Sequence, residues 1–237
     1  MESISIVIPA YNEADNIKRL DNELIKILNK ERYVYEILIV NDGSNDDTLV
    51  ESEKLAKKHH SVRVIKHNRN MGLAAGIITG IKNAKNPLLI TLDADLTFHP
   101  KEIKKLMKKY RETGADCIIG SQYCKGGEDT LSIKRWVLSR GVNFLYQIFL
   151  GSNVTSVSSI FRLYKTQQLK KMNLVSTGFS INSEILINLI KNKARIYEVP
   201  VRLTTRIYGE SKINNYKEFR NHINILSKLF LSKIHVI

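Results

Sequence analysis

Asp93 and Asp95, two carboxylates one residue apart, are the residues best placed to do chemistry in this chain. They follow directly on the apolar run Leu88-Leu89-Ile90-Thr91-Leu92, so they would emerge together at the edge of a sheet. Two such carboxylates can bind a divalent cation. Oxygen donors favour Mg2+ or Mn2+, and magnesium characteristically keeps waters and bridges one or two carboxylates to a substrate pyrophosphate. A lone Asp-x-Asp also serves as a solvated turn, but two further polar clusters follow apolar runs in the same way. Asn41-Asp42-Gly43-Ser44 offers a carboxylate that could accept a hydrogen bond from a base N–H or a ribose hydroxyl. The same four residues also suit a turn, with Ser44 and Asp47 as a capping box. Pro9-Ala10-Tyr11-Asn12-Glu13 is the third cluster, where Glu13 could bind a ligand or simply favour a helix N-terminus.

The elements that must position these clusters alternate along the first half. Strand patterns at 4–8, 36–40, 62–65, 88–92 and 116–120 are rich in Ile, Val and Leu. Helical spacing separates them at 13–30, after Ser44, at 73–84 and at 101–111, the last opened by Pro100. Buried strands alternating with helices predict an α/β fold, a mostly parallel sheet with helices on both faces. Ligands of such sheets bind beyond the carboxyl ends of the strands, where all three clusters fall. The second half predicts a strand at 160–164, a helix at 180–191 and a strand at 196–201. Residues 134–150 form an amphipathic helix, with Leu138, Val142, Leu145 and Phe149 on an apolar stripe and Trp136, Arg140, Asn143 and Gln147 opposite. The segment 217–237 is amphipathic too, with Phe219, Ile223, Leu226 and Phe230 on one stripe.

The chain has 237 residues, 43% of them hydrophobic, and a formal net charge of +14. That length and composition suit one globular α/β domain with an appendage and exclude a disordered chain or a disulfide miniprotein. The positive charge points to an anionic partner: a phosphorylated small molecule, an anionic membrane surface or nucleic acid. Cys117 and Cys124 form no C-x-x-C and suit free thiols. No signal peptide and no membrane-spanning helix is expected. The first strand is followed by neither G-x-G-x-x-G nor G-x-x-x-x-G-K-[ST], which argues against a dinucleotide oxidoreductase and a P-loop NTPase.

Taken in order, Val7-Ile8-Pro9-Ala10-Tyr11-Asn12-Glu13, Val40-Asn41-Asp42-Gly43-Ser44, Asn70-Met71-Gly72-Leu73, Asp93-Ala94-Asp95-Leu96-Thr97 and Gly120-Ser121-Gln122-Tyr123 resemble the family-2 glycosyltransferases of GT-A fold. Ser159-Ile160-Phe161-Arg162-Leu163-Tyr164, Glu198-Val199-Pro200 and Arg206-Ile207-Tyr208-Gly209-Glu210-Ser211-Lys212 narrow the resemblance to the dolichol-phosphate mannose synthase group, the polyprenyl-phosphate glycosyltransferases. It covers residues from about 4 to 212. It implies that Pro9, Tyr11, Glu13 and Asp42 hold the nucleotide. It further implies that Asp93 and Asp95 bind the metal and the donor diphosphate, that Ala94 touches the nucleotide, and that Arg206 and Lys212 close over the diphosphate. The acceptor phosphate falls to Arg135 and Ser139, four apart, with Arg140 beside them. The sequence departs from that pattern at Gln122, where the group has an Arg near the acceptor phosphate, and at Ser156 and Ile160, where it has Asp and Gly. Thr97 stands where a longer polar metal contact is sometimes found.

The resemblance thus implies an inverting transfer of a sugar, mannose or glucose, from a GDP- or UDP-sugar to a polyprenyl or dolichyl phosphate, with Mg2+ or Mn2+. An acceptor phosphate is already ionised near neutral pH, so Glu184 is only a minor candidate for a general base. Residues 1–212 form the expected catalytic domain and 213–237 an amphipathic tail. The tail and the 134–150 helix could lie on the cytoplasmic surface of a membrane or pack on the sheet, and the tail could instead join two copies of the chain. Three rival readings stand beside this one. The first is single-sugar transfer to a soluble or protein acceptor. The second is a processive synthase, for which Arg135-Trp136 lacks the preceding Gln. The third is nucleic-acid binding through the basic run 101–109, which no recognition motif accompanies.

Overall fold

A computed structural model describes residues 2–130 and 133–209. Eight-residue β1 (Ser3–Ala10) and β2 (Val34–Asn41) pair in parallel at the centre, with buried residues on both faces of each. A helical rod connects them: α1 (Ala14–Leu20), a π-helical turn (Asp21–Ile25) and α2 (Lys26–Lys30). It buries Ile17, Leu20, Leu24 and Leu28 at helical spacing. Then follow α3 (Thr48–Lys58), β3 (Val62–Lys66), α4 (Leu73–Asn83) and β4 (Leu88–Thr91). A 3-10 turn (Pro100–Glu102) leads into α5 (Ile103–Thr113) and β5 (Cys117–Ser121). The remaining described elements are α6 (Ile133–Leu150), β6 (Arg162–Lys165), α7 (Thr166–Lys170), a 3-10 turn (Gly178–Ser180), α8 (Ile181–Lys191) and β7 (Ile196–Pro200).

The sheet has seven strands in the order β3-β2-β1-β4-β6-β5-β7. All pairs are parallel except those of β6, which runs antiparallel to β4 and β5. The expected mostly parallel α/β architecture is therefore present, with one reversed strand. Alternation along β1 sends Ile4, Ile6 and Ile8 into a core on one face, shared with α1, α2 and α5, and Val7 into a second core on the other, shared with α4 and α8. The second core is packed tightly: a Cβ added to Gly80 of α4 would stand 2.1 Å from Val7 Cγ1.

The amphipathic reading of 134–150 is corrected. Asn143 and Tyr146 are buried and Val142 packs beside them, while Phe144 is 60% exposed, Ile148 57% and Trp136 42%. Asn143 Oδ1 accepts from the Val157 N–H and Gln147 Nε2 donates to the Val154 carbonyl, so the two amides face inward onto partners. The outward face carries Trp136, Arg140, Phe144, Leu145 and Ile148 instead. No helix among the described residues is long and apolar enough to cross a membrane. The 213–237 tail lies outside the described residues.

Candidate active site

The three polar clusters do meet at one sheet edge. β1, β2 and β4 end side by side, and Pro9-to-Glu13, Asp42-to-Ser44 and Asp93-to-Asp95 follow them. The loop after β1 is tied to the loop after β2: the Asn12 N–H donates to Ser44 Oγ at 3.0 Å, the Asn45 N–H to Asn12 Oδ1 at 2.9 Å, and the Glu13 N–H to Thr48 Oγ1 at 2.7 Å. The capping box expected of Ser44 and Asp47 is therefore absent. Ser44 serves the neighbouring loop, and Asp46 accepts from the Thr48 N–H at 3.0 Å.

A segment far along the chain completes the edge. Leaving β7, residues 201–209 cross back. Phe98 and Leu203 form a β-bridge, and Thr204 donates its N–H and its hydroxyl to the Thr97 carbonyl at 2.9 and 3.0 Å. That crossing delivers Arg206, whose Nε donates to Asp95 Oδ2 at 2.8 Å and whose Nη2 donates to Glu13 Oε1 at 3.1 Å. Arg19 and Asn16 of α1 hold the same segment. Asn16 Nδ2 donates to Glu13 Oε2 and to the Tyr208 carbonyl, while the Arg19 guanidinium lies 5.7 Å from the centre of the Tyr208 ring. Burial opposes the Arg206 cation, but Asp95 and Glu13 outweigh it and hold its pKa above the usual value.

The two aspartates have different surroundings. Asp95 is buried and takes three donors: the Arg206 Nε, the Thr97 N–H and the Thr97 hydroxyl, the last two at 3.0 Å. Thr97 thus turns its hydroxyl onto Asp95. The Asp93 carbonyl accepts from the Leu96 N–H, but its carboxylate takes no hydrogen bond from the described residues. Desolvation, together with the Asp95 carboxylate beside it, pushes its pKa up to about 8. A carboxyl group without a hydrogen-bond donor, beside a second one that takes three, suits a cation. Among the described residues no group of three or more His, Cys, Asp or Glu forms a cage. The donor set is thus two oxygen ligands that leave further positions to water and substrate, which fits Mg2+ or Mn2+.

Asp42, at the mouth of β2, takes donors from His67, Met71 and Gly72. Pro9, Tyr11 and Ala94 line the same edge, Ala94 buried and the other two half-buried. On the far side of β4, the Arg140 guanidinium of α6 donates to the Tyr123 carbonyl at 3.3 Å and lies 5.5 Å from the Trp136 ring centre and 6.0 Å from that of Tyr123. Ser139 is half-buried one residue earlier; Arg135 belongs to the same helix. Gln122 is half-buried with an Oε1 that has no partner. The loop before β6 is held from two sides. Glu198 accepts from the Thr155 and Ser156 N–H groups, and the fully buried Arg162 donates to the Ser156 and Val157 carbonyls. Glu184, the minor candidate for a base, instead accepts from the Val175 and Ser176 N–H groups and fastens a loop. Lys212 lies outside the described residues. Arg19, Asn16 and His67 are residues of this edge that sequence reasoning missed, while Glu198 entered only as part of the resemblance, with no role assigned. Only His67 carried a signal, its position just past a strand end.

Comparison with known proteins identifies the family and the fold. Over 231 residues the chain is 32% identical to a dolichol-phosphate mannosyltransferase of Pyrococcus furiosus, covering 95% of this chain and 64% of that protein. It is 33% identical over 239 residues to an uncharacterized protein of Methanocaldococcus jannaschii, covering 98% of this chain and 93% of the other. The glucosyl-3-phosphoglycerate synthase of Mycobacterium tuberculosis, solved with Mn2+, UDP and phosphoglyceric acid, superimposes with a TM-score of 0.73 at 17% identity, over 96% of this chain and 78% of that one. That likeness places the fold among the GT-A glycosyltransferases. The family model described as glycosyl transferase family 2 matches residues 5–172, the span that builds the paired carboxylates and their strand-end neighbours, and the chain belongs to that family.

Proposed function

We propose that this glycosyltransferase moves a hexose, mannose or glucose, from a nucleotide-diphosphate sugar to a polyprenyl or dolichyl phosphate, with inversion at the anomeric carbon. The observation that carries the donor half is the pairing of Arg206 with Asp95 beside Asp93 and Glu13. Asp93 and Asp95 would hold Mg2+ or Mn2+, which when bound supplies positive charge against the leaving diphosphate. Arg206 adds charge where the leaving group becomes more negative, and Lys212 is assigned the same task. Pro9, Tyr11, Glu13, Asp42 and Ala94 hold the nucleotide. The acceptor phosphate is ionised near neutral pH and attacks without a strong base, so the protein's task there is positioning, by Arg135, Ser139 and Arg140.

The outward face of α6 favours the lipid acceptor over a soluble one. Trp136, Phe144, Leu145 and Ile148 stand in solvent on the same helix as Arg140. Apolar and aromatic groups beside cations suit the boundary of an anionic membrane. The protein would accordingly work as a peripheral enzyme at the cytoplasmic membrane surface, and nucleic acid has no part in this reading. Soluble acceptors remain the second reading, because the Mycobacterium tuberculosis neighbour was solved with phosphoglyceric acid.

A panel of GDP- and UDP-sugars tests both readings. It is offered to the enzyme with polyprenyl phosphate or with soluble phosphorylated acceptors, and products are read by mass spectrometry. Glycosylated polyprenyl phosphate is the expected product; transfer to soluble acceptors alone would overturn the lipid assignment. Asp95→Ala should abolish metal-dependent transfer, and undiminished turnover would sink its role.

A further inference from the structure

The carboxylate of Asp42 has nearly exhausted its capacity to accept hydrogen bonds. Oδ1 accepts from His67 Nδ1 at 2.6 Å and from the Met71 N–H at 3.0 Å, while Oδ2 accepts from the Gly72 N–H at 2.7 Å. An ionised carboxylate only accepts, so the ring proton lies on Nδ1. His67 Nε2 is hydrogen-bonded to the Thr79 hydroxyl of α4 at 2.9 Å, which holds the ring in place. Two carboxylate oxygens provide about four lone-pair sites. Three are taken, and the one left is on Oδ2.

Nor can Asp42 turn to release another. It is 3% exposed. The next residue, Gly43, has φ +65, and a Cβ there would stand 2.3 Å from the Arg69 carbonyl carbon. The loop that supplies the Met71 and Gly72 donors therefore lies directly on the end of β2.

Guanine presents two adjacent donors, N1–H and N2–H, which pair with both oxygens of a carboxylate. Uracil presents one, N3–H, between two carbonyls. We propose that Asp42, through its remaining Oδ2 lone pair, selects a base with a single N–H, so that the donor is a UDP-sugar and not a GDP-sugar. This rests on the reading of the β1, β2 and β4 edge as a nucleotide-sugar site. Bound guanine would keep one buried donor unpaired, a penalty worth roughly tenfold or more in affinity. His67 is then a positioning residue: it sets the count on Oδ1 without meeting the base.

Calorimetric titration of the full chain with UDP and with GDP, Mn2+ present throughout, tests the inference. UDP should bind at least about tenfold more tightly. Equal affinities, or tighter GDP, would overturn base selection while leaving the nucleotide site intact. Binding of neither would overturn the donor-site reading and this inference with it. His67→Phe keeps the ring volume and frees an Oδ1 lone pair, so the preference for UDP should narrow; an unchanged ratio in the folded variant would overturn the role of His67. If that variant does not fold, the wild-type ratio decides.

Discussion

At neutral pH Asp93 holds a proton that an unfolded chain would release. Its folded pKa is pushed up to about 8 by desolvation and by Asp95, whereas an unfolded aspartate titrates near ~3.9. Between those values the folded state binds more protons than the unfolded one, so the stability of the metal-free protein falls as pH rises through that window. Thermal melts in EDTA should show the Tm declining from about pH 5 to 8, and Asp93→Asn should flatten that slope and raise the Tm at pH 8. At about 2–4 °C per kcal/mol for a chain of this size, the difference is measurable. A steeper slope in the variant would refute the assignment. Cation uptake should release close to one proton per ion at pH 6.5 and far less above pH 9, which calorimetry in buffers of different ionisation enthalpy would read. Asp93, Asp95, Asp42 and Glu13 were legible because each follows an apolar run. Arg206 was legible only through resemblance, since 111 residues separate it from the Asp95 it pairs with.

Individual elements were legible where periodicity is set by burial alone, and obscure where polar groups find partners inside. Helix α6 is the clearest case. Asn143 and Gln147 count as polar in any hydrophobic pattern, yet the loop before β6 supplies Asn143 with the Val157 N–H and Gln147 with the Val154 carbonyl. Their inward turn sends Phe144 and Ile148 outward, which no reading of spacing foresees. Phe144→Glu combined with Ile148→Glu should therefore abolish cosedimentation with anionic vesicles and leave the Tm within about 2 °C, because neither side chain contributes to the core. Loss of stability in place of vesicle binding would show that the face is packed. The loop between β3 and α4 obeys a different constraint. Gly43→Ala places a Cβ against the Arg69 and Asn70 backbone at a positive φ. It should cost about 2 kcal/mol or more and weaken nucleotide binding together with stability. Denaturant melts and nucleotide titration would check the two effects.

For the molecule as a whole, the net charge of +14 finds definite places. Arg206 faces the carboxylates, and Arg140 stands on the outward side of α6. Attraction to an anionic surface is screened within a Debye length of about 10 Å at 0.1 M salt, whereas apolar insertion is not. Vesicle binding should accordingly weaken several-fold between 50 and 300 mM NaCl without vanishing. Complete insensitivity to salt would assign the contact to Phe144 and its neighbours alone. The mostly parallel sheet was legible from Ile- and Val-rich strands separated by helices. The reversal of β6 was not, because the direction of a strand depends on how its connections cross the sheet and leaves no trace in the four residues Arg162–Lys165.

That reversed strand divides the molecule in a useful way. On one side of β6 lie β1, β2, β3 and β4, with carboxylates beyond the ends of β1, β2 and β4, and on the other β5 and β7, with α6 attached through the loop that follows β5. Two described segments return across that boundary: residues 201–209 at the carboxyl ends of the strands, and residues 166–180 on the α4 face, where the Thr166 N–H donates to the Pro87 carbonyl and Lys170 Nζ to the Ala84 carbonyl. Recombination that exchanged residues 117–200 between relatives would therefore have to keep the α4 packing as well as the crossing segment in register.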